Sequence, residues 1–227
     1  MHDSFITILG ALAIGALTAL DIAAGAFAIA LLGGLALALV RTFVPSRVVQ
    51  LAIAAWSEWM RNVPALAHLF VLYFGLASAG IRLSPITAAC VGLGAVGAAV
   101  LCDVFSAGLR ALHAGQREAA LAVGLTPAQV LRFVLLPQML RLTWPSLGNY
   151  ASQLVKDTSI ASAIAVPEVM FYARQLVTST FQTTLIYLGA MLLYAAIVMS
   201  ATLSGLFFLL VTLAERWVIR WQPEAAP

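Results

Sequence analysis

Apolar residues dominate this chain in five long runs, separated by short stretches where charge and proline concentrate. The runs fall at about 17–40, 50–77, 84–110, 143–166 and 182–214. Each is long enough for a helix to cross a bilayer, which takes about 20 predominantly apolar residues. Residues 5–40 hold a single charged side chain, Asp21. Across 116–138, QREAALAVGLTPAQVLRFVLLPQ, the pattern changes. Polar residues recur at helical spacing, a glycine sits in the middle and prolines occupy two defined places. Residues 116–123 predict a first helix, with Gly124 where a left-handed C-terminal cap is wanted. Thr126 is an N-cap, Pro127 takes the first helical position and Gln129 completes a capping box. Residues 127–136 predict a second helix stopped by Pro137. Val130, Leu131 and Val134 form its apolar side, while Gln129 and Arg132 face elsewhere.

Composition turns these runs into membrane spans. The 227 residues are 63% hydrophobic and 9% charged, against roughly 25% charged in a soluble domain, and the mean hydropathy is +1.01. The expectation is an all-α membrane protein of about five transmembrane helices. It forms one domain over 1–227, with a water-exposed segment at 110–141 inside it. No Lys or Arg precedes Arg41, so the first run is expected to be a retained span and not a cleaved leader. Arg41 and Arg47 fall in the first loop, Arg110, Arg117, Arg132 and Arg141 in or beside the third, and Arg216 and Arg220 after the last span. The other side holds only Arg82 and Arg174. The positive-inside rule therefore puts the first and third loops and the C-terminus in the cytoplasm, and the N-terminus outside. Trp217 and Trp221 suit an anchor at the inner interface.

Cys90 and Cys102, twelve residues apart on one helix, stand about 18 Å apart, beyond disulfide reach; both are expected to be free. His2, His68 and His113 are scattered and make no metal-ligand set. Gly92, Gly94, Gly97, Ala98 and Ala99 let another helix approach the third span closely, and the simplest neighbour is a helix of the same chain. No internal repeat is present. Many secondary carriers are built from two related halves, so a pore made by this chain is half of a pore. A DNA-reading helix–turn–helix is poorly served at 116–138, because its second helix would carry one arginine and be tethered to the membrane at both ends. A plain interfacial helix does not explain two separately capped helices joined by a tight turn. That arrangement makes a rigid knob for a partner's groove.

The knob carries a specific resemblance. Glu118-Ala119-Ala120, three residues to Gly124, then nine to Val134-x-Leu136-Pro137 resembles the EAA loop of ABC importer permeases, with Val134 for the usual Ile. The stretches GQREAALAVGL, LPQMLRLTWPSLGN, LVKDTSIASAIAVPE and RNVPALAHLFVLYFGL, and LAERW near the end, resemble the polar amino-acid branch of that family. The likeness covers roughly 17–220. It implies a type I ABC importer permease fold in a bacterial inner membrane. It also implies a cytoplasmic ATPase dimer gripping Arg117, Glu118, Ala119, Ala120, Gly124 and Pro137, a second permease subunit, and a periplasmic or lipid-anchored solute-binding protein. Ala119 and Ala120 are small enough for close approach, and Gly124 sets the angle between two stiff helices. A P-loop needs a lysine after glycine. The one lysine, Lys156, follows Val155, so ATP and Mg are expected on the partner ATPase and no cofactor in this chain.

Ionisable residues inside spans are functional candidates. Asn149, Gln153, Lys156 and Asp157 recur at three-to-four-residue spacing and share one helix face. With Thr158 and Ser159 above them they are candidates to line a water-filled pathway, Lys156 meeting a substrate carboxylate and Asp157 an amino group. A partnered charge holding helices in register is the other reading of the same residues. Asp103 stands where related permeases place an acid-x-x-Arg pair, but here Ser106 replaces the arginine and Ala107 the next glycine. Asp103 thus lacks its usual partner, which favours a heterodimer over a homodimer. Glu58 and Arg61 have the spacing to neutralise each other, and His68 is expected to be a satisfied contact between helices. Asp21 has no evident partner, and solvation near the outer interface accounts for it. The rival functions are a stand-alone ion-coupled carrier of small polar solutes, relaying through Asp103, Asp157 and His68, and a membrane-embedded enzyme using paired acids. The missing repeat opposes the first; no nucleophile–base or metal constellation supports the second.

Overall fold

The structure, a computed structural model, describes the backbone of residues 2–218 and the side chains of residues 8–200. The interfacial anchor expected at Arg216, Trp217, Arg220 and Trp221 lies outside the described side chains. Among the described residues eight helices follow one another: α1 His2–Phe43, α2 Arg47–Asn62, α3 Ala65–Ser78, α4 Pro85–Arg110, α5 Ala114–Ala122, α6 Pro127–Ile164, α7 Val169–Thr180 and α8 Thr183–Val218. Three stretches among the described residues are each long and apolar enough to cross a membrane: Ile8–Phe43, Pro85–Arg110 and Thr183–Ser200. Counting the bent pairs α2–α3 and α6–α7 as one span each brings the total to five.

Both bent pairs correct the expected spans. The run at 50–77 is not one rod, because α2 and α3 meet at 100°. Pro64 disfavours the helical conformation at the residue before it, and Val63 is extended at φ −83°, ψ 133°. The run at 143–166 begins earlier and ends differently. Pro137 does not stop the second loop helix. That helix passes through a π-turn, Val130–Leu135, and continues as α-helix Leu136–Asp157. In a regular α-helix Pro137 would leave one carbonyl without a donor and drive its ring into the preceding turn. The wide turn, with the Leu136 amide reaching back to the Leu131 carbonyl, opens the ladder at that point. Beyond Asp157 the helix tightens to a 3₁₀ stretch, Thr158–Ile164. It then reverses at Ala165, which is left-handed at φ 62°, and α7 leaves at 51°.

α1 and α4 form the central seam, packed along most of their length. Glycine makes that approach possible: a Cβ on Gly34 would stand 2.7 Å from Leu101 Cβ, and one on Gly94 2.7 Å from Ile29 Cβ. The small residues of the third span therefore serve contacts inside the chain. One apolar cluster occupies the loop end of the molecule. It joins Ala38 of α1, Ile53 of α2, Phe105 and Leu109 of α4, Ala120 of α5, and Val130, Leu135 and Met139 of α6. Leu69, Ala89, Leu93, Leu154 and Ile164 anchor a second cluster farther along the bundle.

Candidate functional site

The loop between α4 and α6 is built from local signals. The His113 ring accepts from the Gly115 amide at the start of α5. At its end the Gly124 amide donates to Leu121 and the Leu125 amide to Ala120, with Gly124 at φ +87°; this is a Schellman cap. The Thr126–Gln129 capping box then starts α6. Gln138 Nε2 donates to Gln116 Oε1 at 3.3 Å and ties the two helices together. Arg117, Glu118, Ala119, Val123, Gly124 and Pro137 are exposed. Ala120 is not: it is 8% exposed and belongs to the loop-end apolar cluster. The expectation that both alanines face a partner is corrected, since Ala120 points into this chain's own core and only Ala119 is presented outward. The knob is thus tied to α6 by a hydrogen bond and to α4 and α6 by a shared apolar cluster.

Along α6, Asn149 and Gln153 line an open pocket of about 340 Å³ with Val100 and Val104 of α4, Ser146 and Tyr150. Gln153 Nε2 donates to Asp157 Oδ1 at 2.9 Å, so the polar stripe runs on for a further turn, and Lys156 is exposed beside it. Thr158 departs from the expected set. It is fully buried and its hydroxyl donates to the Val155 carbonyl at 2.7 Å. Ser159 likewise donates to the Lys156 carbonyl. The tight 3₁₀ turn directs both hydroxyls to their own backbone. Tyr150 was not singled out in the sequence, yet it forms the pocket wall. It stacks on Phe27 of α1 at 6.3 Å between ring centroids, and its hydroxyl fills the space that the missing side chain of Gly97 leaves.

Asp103 is not among the residues that line that pocket, and it is not short of partners. Arg41 Nη1 meets Oδ1 at 2.7 Å and Arg61 Nη1 meets Oδ2 at 2.6 Å, while Arg61 also pairs with Glu58. Four charges from α1, α2 and α4 close a network where the sequence shows only a missing arginine at Ser106. Since the chain supplies its own partners, the Ser106 and Ala107 departures no longer argue for an unlike second subunit. Glu168 is the other carboxylate that matters. It is fully buried, caps α7 by accepting from the Met170 and Phe171 amides at 2.8 Å, and accepts from the Tyr194 hydroxyl at 2.6 Å. An acid before an apolar run marks a helix start, and Pro167-Glu168 carried that signal. His68 is not satisfied as expected: both ring nitrogens are buried without a hydrogen-bond partner among the described residues.

Residues 30–220 match the family described as binding-protein-dependent transport system inner membrane component. The chain is similar to the probable amino-acid ABC transporter permease protein YckA of Bacillus subtilis, 37% identical over 55% of this chain and 58% of that one. It is 36% identical to the probable amino-acid permease protein YxeN of the same organism, over 74% of this chain and 75% of that one. The fold is similar to that in a crystal structure of an amino acid ABC transporter with histidines, with a TM-score of 0.81 and 25% identity, covering 90% of this chain and 95% of the other.

Proposed function

The chain belongs to the family of binding-protein-dependent transport system inner membrane components, and on that premise we propose that it is one permease subunit of an ATP-driven importer. It forms half of the translocation pathway for a polar amino acid that a solute-binding protein delivers. Two ATPase subunits hold ATP and Mg and hydrolyse it; this chain converts their closure into movement of its spans. The N-terminus is outside and the loop between α4 and α6 is cytoplasmic. Family membership and the amino-acid transport proteins it is similar to favour this reading over a stand-alone ion-coupled carrier.

The observation that carries the mechanism is the division of labour in the loop. Ala120 roots α5 in the core shared by α1, α2, α4 and α6, while Arg117, Glu118, Ala119 and Gly124 stay free for an ATPase cleft. A rigid-body switch needs such a lever and no catalytic group. The pathway half is the Asn149–Gln153–Asp157 stripe with Lys156 beside it. The opposite charges suit a zwitterion, and a second permease subunit closes the open side.

The test is capture of ATPase subunits from solubilised membranes by wild type beside Gly124→Asp. Aspartate tolerates the left-handed conformation better than most residues, so the variant adds a charge to the presented surface together with some strain at the φ +87° cap. Capture by wild type and loss with the variant supports the reading. Equal capture leaves a complex but removes the loop from its interface. Failure of wild type to capture any ATPase sinks the importer assignment.

A further inference from the structure

α2 has three faces. Ile53 and Ser57 are buried against the bundle, and Val49 joins the loop-end cluster beside Ile53. Arg47, Gln50, Glu58 and Arg61 form a polar flank, on which Arg61 holds Asp103. The third face is apolar and uncovered: Val48 is 76% exposed, Leu51 69% and Trp59 63%, with Ala52 and Ala55 between them. Helical spacing puts these five on one stripe. A stripe of that size in water is strongly unfavourable.

Three observations fix what covers it. α2 starts four residues beyond the end of α1 and meets α3 at 100°, so a helix joining two spans in this way runs along the membrane plane. It lies at the same end as the coupling loop, because Ile53 shares a cluster with Ala120 and Val130. The helices on either side of it expose large apolar side chains too, Val40 and Phe43 on α1 and Phe70, Val71 and Phe74 on α3, as lipid-facing spans do. Arg47 is exposed at its start, at the level where phosphate is available, and Trp59 is a residue type that settles at the interface.

We propose that α2 is an in-plane membrane helix: acyl chains of the leaflet on the coupling-loop side cover its Val48–Leu51–Trp59 stripe, and phospholipid headgroups meet Arg47. The leaflet is then a structural partner of the permease. It fixes the depth of α2, α2 fixes Asp103 through Arg61, and Asp103 sits two turns before the end of α4, from which the coupling loop departs. A helix of this kind buries its apolar face about 5–10 Å into the headgroup–acyl boundary.

The test uses the unmodified complex as it purifies, reconstituted in bilayers of two photoreactive phospholipids in separate samples. One carries the reactive group on the acyl chain and the other on the headgroup; adducts are mapped by mass spectrometry. The acyl probe should mark Val48, Leu51 and Trp59 together with Phe70 and Phe74, and the headgroup probe should mark the start of α2 around Arg47. Acyl labelling of Phe70 and Phe74 with none on α2 overturns the proposal, since water or another protein surface then covers the stripe. Acyl labelling of α2 without headgroup labelling at Arg47 also overturns it, because the helix then lies inside the hydrocarbon and not at its edge.

Discussion

Asp103 accepts from two guanidinium groups, one of them from a residue 62 positions away in sequence, and each arginine takes its own carboxylate oxygen. All members of the network are about a third exposed or more, apart from Arg41 at 29%. Pairs this wet contribute about 0.2–1 kcal/mol each. Asp103→Asn is therefore expected to lower stability by about 0.4–2 kcal/mol, counting both pairs. The gap to wild type should narrow in high salt, which screens such charges. Thermal melts of the solubilised protein at low and high ionic strength check this. A double-mutant cycle with Arg61→Gln should show coupling between the two positions. A gap that does not respond to salt, with no coupling to Arg61, would mean that Asp103 acts by something other than these pairs. Before the fold is known, this site shows only as an anomaly at Ser106. Its solution depends on α2 folding back across α4, a tertiary event that no local spacing encodes.

At the scale of elements, the loop was readable and the joints beside it were not, for one physical reason. Caps are local chemistry: Thr126 with Gln129, and Gly124 with its free left-handed backbone, act within a few residues and so announce themselves. Proline is ambiguous, because what it does depends on the surrounding ladder. Pro64 breaks the second run and turns it by 100°, whereas Pro137 sits inside a continuing helix beside a π-turn. The clue to the second case was spacing: Val130 and Leu135 are both buried although five residues apart, which suits one wide turn and not an α-turn of 3.6 residues. Removing the exposed Phe133 together with Pro137→Ala converts that spacing to four. Val130 and Leu135 then share a face of an ordinary α-helix, so the loop keeps its direction. The double change is expected to leave melting within about 1 kcal/mol of wild type, on the scale of tolerated core-conserving changes. Collapse of the melt would show that the π-turn itself, and not merely the register across it, is required.

At the scale of the whole molecule, the two candidate regions are joined by α6, whose first turns carry the coupling cap and whose middle carries the polar stripe. The α1–α4 seam and the loop-end cluster leave little freedom between them, since close-packed interiors move as bodies and not by gradual deformation. Motion of the loop should therefore reach Asn149, Gln153 and Asp157 as a change in how the pocket face meets a second subunit. This yields a sharp contrast between two polar positions less than three turns apart on α6. Asn149 faces the pocket, whereas Thr158 is buried with its hydroxyl on the Val155 carbonyl. Asn149→Ala removes a group available to solute, and losing one net hydrogen bond of about 1–1.5 kcal/mol corresponds to roughly a tenfold rise in the apparent KM for transport. Basal ATP hydrolysis by the proposed partner ATPase should not change. Thr158→Val should leave KM alone and lower only stability, by about 1 kcal/mol for the lost backbone bond. Uptake into proteoliposomes containing the full complex reads both numbers in one assay. If Thr158→Val raised KM while Asn149→Ala did not, the pathway would have to run along the 3₁₀ segment, and the open pocket between α4 and α6 would be a contact surface for the second subunit.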